Sequence, residues 1–207
     1  MKYFFLLLLI ISRFSYSEII YINNHVSNIK IKSWKELRDY NIEKQDLDFS
    51  CGAASIATLI NGYYKKSITE RDVLKIMHKE DMMASFDDMQ KALNKLGFQS
   101  KGYAISLETL IKLKIPVIAY IKHRNNDHFT VISGINKNFV RISDPSLGRK
   151  TLSIQQFKKM WETRADEKFK GKILVILSNG QLMDPTFFTK DVGQPTRQSI
   201  RQLASQF

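Results

Sequence analysis

One thiol, four imidazoles and a carboxylate placed just ahead of a proline are the side chains here whose types could combine for nucleophilic chemistry. Cys51 is the only cysteine, and it opens an apolar run at helical spacing through Ala53, Ala54, Ile56, Ala57, Leu59 and Ile60. At a helix start, unpaired backbone N–H groups and about half a unit of positive dipole charge favour a thiolate over a thiol. A free thiol ionises near pKa ~8.5, and a helix N-terminus or a neighbouring imidazolium pulls that value down. Such a sulfur is a nucleophile. The alternative for a lone cysteine is burial as a small, inert hydrophobe, so its partners decide.

Three of the histidines have no evident orienting partner: His25 lies in a polar stretch, His78 among charges at a helix end, and His123 in a solvated loop. His128 opens an apolar strand, where a polar group at the rim should have a purpose or a partner. Asp144 is the candidate. If Asn136 to Asn138 form a three-residue loop, Ile135 pairs with Phe139 and the ladder sets Asp144 opposite Thr130, about 7 to 8 Å diagonally from His128. A two-residue loop would send Asp144 to the other face, so the pairing requires an odd loop or a bulge. Gln45, upstream of Cys51, carries an amide that, with the Cys51 backbone N–H, could hold the oxyanion of a tetrahedral intermediate. A lone glutamine is more often solvated surface; beside Cys51, His128 and Asp144 it reads as part of a site.

Stepping outward, Cys51 to Tyr64 is a helix, and Ser67 with Glu70 forms a capping box for a second one through Val73, Leu74, Ile76 and Met77. Ser85 opens a third helix that Gly97 stops, and a short fourth spans about 107–113. The period then changes. Residues 115–121 are apolar and partly β-branched with Pro116 at the entrance; Phe129, Val131 and Ile135 alternate, and 139–142 begins the return strand. Asp144, Pro145 and Gly148 mark a turn, Ser153 caps a helix through Phe157, Met160 and Trp161, and 172–177 closes with a strand. Helices first and antiparallel strands second make an α+β domain, its N-terminal helices packed on an antiparallel sheet. Tyr63, Tyr64, Phe86 and Trp161 either line a groove or fill the core, with core preferred for Phe86 and Trp161.

Lys2, the apolar run from Phe4 to Ile11, and Ser15 and Ser17 before Glu18 read as a signal peptide over 1–17, too short for the roughly 20 residues of a membrane span. The expected location is therefore exported, periplasmic or secreted, where one cysteine cannot build a disulfide framework. The domain is expected over 18–178. A polar tail follows over 179–207, ending as a weak amphipathic helix on the body or a free end. Leader removal lowers the formal net charge of +12 by two. Basic residues alternate with acids (Lys35, Glu36, Arg38, Asp39; Lys79, Glu80, Asp81) and form no block, so nucleic acid is not an expected partner. No histidine pair shares a helix face and the cysteine is already assigned, so no metal or cofactor is expected.

Taken together, these motifs resemble the bacteriocin-processing, double-glycine-leader cysteine peptidases. The signature is Gln45, five residues, then Cys51 and Gly52 opening a helix; His128 and Phe129 start a strand, and Asp144 and Pro145 end the next. The likeness runs in order over residues 45–177. It implies a papain-like fold, Cys51 as nucleophile, His128 as general base and acid, Asp144 as orienter and Gln45 as oxyanion donor. The implied reaction is peptide-bond hydrolysis through a thioester acyl-enzyme, on a peptide or protein substrate. Many members are fused to an ATP-driven transporter; lacking a Gly-rich phosphate loop and spanning helices, this chain looks like a free-standing exported branch, with an envelope or export-system partner left open. Ser50 stands where the transporter-fused relatives usually have aspartate, and is expected to cap the helix. The same residues would also serve an amidase or acyl transferase. An inert Cys51 would mark a catalytically silent binding or assembly module.

Overall fold

A computed structural model describes residues 21–22, 25–26, 33–78, 83–124, 126–177, 180 and 182–194. The chain divides into two units, Met1–Ser33 and Trp34–Phe207. In the first, Tyr21–Ile22 pairs antiparallel with His25–Val26. The leader expected over 1–17 lies outside the described residues, as does the end of the expected tail, 195–207. The unit that carries the sheet begins at Trp34, within the domain expected over 18–178.

The second unit runs α1 (Trp34–Asp39), α2 (Cys51–Tyr64), α3 (Glu70–Met77), α4 (Phe86–Lys95), β1 (Gln99–Ile105), α5 (Leu107–Lys112), β2 (Val117–His123), β3 (Asn126–Ile135), β4 (Phe139–Asp144), β5 (Gly148–Ser153), α6 (Ile154–Trp161) and β6 (Gly171–Leu177). Every residue of α2 except Asn61 is buried, as a helix without charged residues must be to avoid exposing apolar surface. The surrounding helices are amphipathic and begin at side-chain caps: Ser85 with Asp88 on α4, Ser153 with Gln156 on α6. On α3 the reciprocal pair is Thr69 with Asp72, not Ser67 with Glu70. The spacing is the same, but Glu70 turns inward, 4% exposed, and accepts the Asp46 N–H at 3.0 Å.

The six strands order β1-β6-β2-β3-β4-β5, each pair antiparallel. Helices cover both faces. Ile118 and Leu174 point to the core shared with α2, α3 and α4, while Val117, Ala119, Ile121 and Ile173 point to a second core with Leu110 of α5 and Phe157 and Trp161 of α6. Trp161 is fully buried and donates its indole N–H to the Lys172 carbonyl at 3.1 Å; Tyr64 is buried and donates to the Ile176 carbonyl at 2.8 Å. Tyr63 is also core, whereas Phe86 stays half-buried against Phe129.

The first part of the polar segment expected over 179–207 packs on the body. Asp184 donates its N–H to the Tyr63 carbonyl at 2.7 Å and pairs with Lys65, and Val192 is buried. Thr189 bridges β3 beyond the end of β2, giving its N–H to the Ser133 carbonyl and accepting the Ile135 N–H, each at 3.2 Å. Polar composition misleads here because the segment is held by backbone hydrogen bonds and a few apolar anchors. Phe187 is one of these. A Cβ on Gly62 would stand 2.1 Å from its ring, so the glycine is what lets the strap lie on α2. Gly62→Ala should therefore expel Phe187 and destabilise the fold by about 1–3 kcal/mol in denaturant unfolding. Adding Phe187→Ala should remove most of the coupling; an additive double variant would show that the strap does not need the glycine.

Candidate active site

The loop of residues 43–50 delivers the chain to α2, and Cys51 is the first residue of that helix. Ser50 occupies the cap position without capping: its hydroxyl donates to the Leu47 carbonyl at 2.7 Å and makes no bond to the first turn. The expected serine cap is thus replaced by a turn-closing contact, and the helix N–H groups are not claimed by that side chain. At Gly52 a Cβ would meet Ala84, Met89 and Phe129 at 3.4 Å, so the helix start packs closely against these neighbours.

Cys51 is 1% exposed, which by itself would suit an inert core cysteine. The His128 ring distinguishes it. That ring is hydrogen-bonded through Nε2 to Asp144 Oδ2 at 2.9 Å, and Cys51 lies close enough to the ring to raise its pKa alongside the carboxylate. With Nε2 engaged by the carboxylate, Nδ1 is the nitrogen left to face the sulfur. One turn past Cys51, Ser55 donates its hydroxyl to the Phe129 carbonyl at 3.2 Å, pinning α2 to the strand residue beside His128.

Asp144 reaches the ring through a bulge. Residues 136–138 join β3 to β4, but Ile135 pairs with Val140 and not with Phe139, and Asn136 Oδ1 closes the loop by accepting the Asn138 and Phe139 N–H groups. That pairing alone would set Asp144 opposite Val131, facing away. The register shift between Ile132 and Gly134 supplies the odd residue, so that Val131 pairs with Ser143 and Asp144 falls opposite Thr130. The expected three-residue loop is present, but the expected Ile135–Phe139 pair is replaced by Ile135–Val140, and the bulge restores the same offset at the site.

The carboxylate is 1% exposed and fully engaged. Oδ1 accepts the Ser146 and Leu147 N–H groups at 3.0 and 2.9 Å, and the Thr130 hydroxyl adds a contact. Burial opposes its charge, but the hydrogen bonds and charge of His128, with Leu147 and Thr130, hold Asp144 below the ordinary carboxylate value. Burial likewise disfavours a charged ring at His128, and is outweighed by hydrogen bonds and charges from Asp144 and Cys51, which push it up to about 10. Gly148 closes the turn at φ +79, in the left-handed region that favours glycine; a Cβ there would also stand 2.3 Å from Asp39 Oδ1.

Gln45 sits where the loop meets this turn. Its N–H donates to the Pro145 carbonyl at 3.2 Å, its Nε2 to the Leu47 carbonyl at 3.0 Å, and its Oε1 accepts the Ser146 hydroxyl at 2.7 Å. His123 is not in a solvated loop but ends β2, half-buried; burial lowers its pKa, with the charges of Asp144 and His128 acting on it in opposite senses. Thr130, Ser55 and Ser146 complete the surroundings without having been singled out in the sequence. Thr130 had a signal, two residues from His128 on the same face, and Ser146 had one in the turn pattern following Asp144.

The model of the Peptidase C39 family matches residues 39–165. The chain belongs to the peptidase C39 family. As a C39 protein it is a cysteine-type peptidase, a hydrolase. It is 34% identical over 168 residues to a probable functional amyloid protease, FapD, of Pseudomonas fluorescens, covering 75% of this chain and 71% of that one. Among solved structures, a double glycine motif protease from an AMS/PCAT transporter in complex with its leader peptide shares 26% identity at a TM-score of 0.55, over 65% of this chain and 89% of that one. The peptidase domain of Streptococcus ComA matches at a TM-score of 0.56 and 20% identity, over 66% of this chain and 97% of that one. The mixed helix and antiparallel sheet architecture is the papain-like fold of C39 domains. Among the described residues, no helix of this C39 chain is long and apolar enough to cross a membrane.

The raised His128 value fixes a pH signature. The ring's contribution to folding is complete below its ordinary value of 6.5 and is withdrawn as pH rises toward about 10. Imidazole nitrogen NMR should show His128 doubly protonated at pH 8. Asp144→Asn takes away the carboxylate and leaves burial, so the titration midpoint should fall by about 1 to 3 pH units; an unchanged midpoint would remove Asp144 as the cause.

Proposed function

We propose that this peptidase works through a Cys51–His128–Asp144 triad and a thioester acyl-enzyme. The observation that carries the reading is the 2.9 Å bond from the His128 ring to a buried, fully hydrogen-bonded carboxylate, with Cys51 at the start of α2 acting on the same ring. The Cys51 thiolate attacks the scissile carbonyl carbon, forming the S–C bond. As the C–N bond breaks, the His128 imidazolium gives its proton to the leaving amine. Water then attacks the thioester while His128 takes a proton back, releasing the carboxylic acid and restoring the sulfur. Asp144 holds the ring in register and stabilises its charged form throughout.

Gln45 is the proposed oxyanion donor, with the Cys51 backbone N–H. One Nε2 hydrogen is held by the Leu47 carbonyl, which leaves the second for the developing negative oxygen. Ser50 turns its hydroxyl to Leu47, so the first N–H groups of α2 remain for the same task.

The substrate is proposed to be an exported protein, and the likeness to a probable functional amyloid protease points to a protein of an amyloid-building system. A periplasmic or secreted setting, reached through the leader at 1–17, and an export-system partner fit that substrate. p-Nitrophenyl acetate should place a single acetyl group on Cys51, located by peptide mass spectrometry. Cys51→Ala should abolish the adduct, and His128→Ala should slow acylation about 100 to 10,000-fold. Acetylation of the Cys51→Ala protein at the parent rate would refute the triad. The parent, but not Cys51→Ala, should also cleave protein in cell-envelope extract, and a product carrying a transferred amine in place of a free carboxylate would identify an acyl transferase instead.

A further inference from the structure

We infer that Ser146 is a positioning residue that sets the oxyanion-binding amide of Gln45 and ties it to the carboxylate of the triad, an inference that rests on the roles proposed above. Ser146 is an exposed turn residue whose polar groups are all engaged. Its N–H donates to Asp144 Oδ1 at 3.0 Å, its carbonyl accepts Lys44 Nζ at 2.6 Å, and its hydroxyl meets Gln45 Oε1 at 2.7 Å. The Gln45 N–H donates to the preceding carbonyl, that of Pro145, at 3.2 Å. The two loops are thus zipped together, one carrying the amide and the other the carboxylate.

The amide has two orientations, and only one serves an oxyanion. The Leu47 carbonyl can only accept, so the atom facing it is Nε2 and the atom facing Ser146 is Oε1. The Ser146 hydroxyl therefore donates. Reversal would set Oε1 against the Leu47 carbonyl, oxygen to oxygen, and would turn a lone pair instead of a hydrogen toward the substrate. Leu47 selects the orientation, and Ser146 holds the far end of the amide so that the remaining Nε2 hydrogen keeps one direction. Glu70 secures the adjoining backbone, since its buried carboxylate accepts the Asp46 N–H with both oxygens, at 3.0 and 3.1 Å. A preset donor stabilises a transition state without rearranging at the moment of reaction, and small misplacements are costly.

The test is the rate of Cys51 acetylation by p-nitrophenyl acetate in Ser146→Ala, Ser146→Thr, Gln45→Ala and the Ser146→Ala/Gln45→Ala pair, with thermal unfolding of each. Ser146→Ala is expected to slow acylation about 10-fold, and Ser146→Thr, which keeps the hydroxyl, to restore it to within about 2-fold. In the Gln45→Ala background Ser146→Ala should have no further effect, because its influence passes through that amide. A parent rate for Ser146→Ala, or the same loss with and without Gln45, overturns the inference while leaving the triad intact. So does a lowered Tm that threonine fails to rescue. A parent rate for Gln45→Ala overturns both the oxyanion role and the inference, and acetylation of Cys51→Ala at the parent rate overturns the triad itself.

Discussion

A carboxylate buried to 1% exposure cannot stay charged without donors, and the site of this peptidase is organised around meeting that demand at Asp144. Three groups supply it by hydrogen bonds, the His128 ring and the backbone N–H groups of Ser146 and Leu147, with the Thr130 hydroxyl alongside helping to hold the charge. Each imposes a condition on the fold. The ring must come from β3 and the carboxylate from the same face of β4, which the bulge at Ile132–Gly134 makes compatible with the Ile135–Val140 pairing. The backbone donors require a tight turn after Asp144, and Gly148 closes it in a conformation where a side chain would collide with Asp39.

Helix α2 then brings the sulfur to this arrangement from the other side. Its burial on nearly every face leaves it little freedom to shift, and the Ser55 bond to the Phe129 carbonyl sets its height against the histidine strand. The strap at 184–192 braces both partners at once: Phe187 lies on Gly62 of α2, and Thr189 pairs with β3 at Ser133 and Ile135, where β2 has already ended. The bulged part of β3 is therefore bonded on both sides, to β4 and to the strap. A polar C-terminal segment contributes to active-site geometry through backbone contacts made far from the sulfur.

The helices were legible because a buried or amphipathic helix writes its period and its caps into side chains: α2, α4 and α6 begin and end close to where the spacing puts them. The central strands showed themselves by their apolar residues. The edge strands β1 and β5 did not, since sequences such as Gln99–Ile105 and Gly148–Ser153 carry few apolar residues and join the sheet mainly through backbone hydrogen bonds that any residue can make. The strap escaped for the same reason. The cap of α3 was misread because two overlapping pairs have the same spacing, and only the buried Asp46 N–H decides that Glu70 turns inward.

For the site, residue types and order alone singled out the proposed nucleophile, base, orienting carboxylate and glutamine, because each is a chemical capacity that resides in one side chain. The sequence also stated a condition, that an odd residue must separate His128 from Asp144 along the hairpin. How the condition is met was decided only in three dimensions, by a bulge whose extra residue is held by contacts with β4 and with the strap. The direction of the Gln45 amide, the non-capping Ser50 and the packing role of Gly52 belong to the same class. They depend on which groups a neighbouring loop presents, and local sequence contains no record of neighbours that folding brings from a hundred residues away.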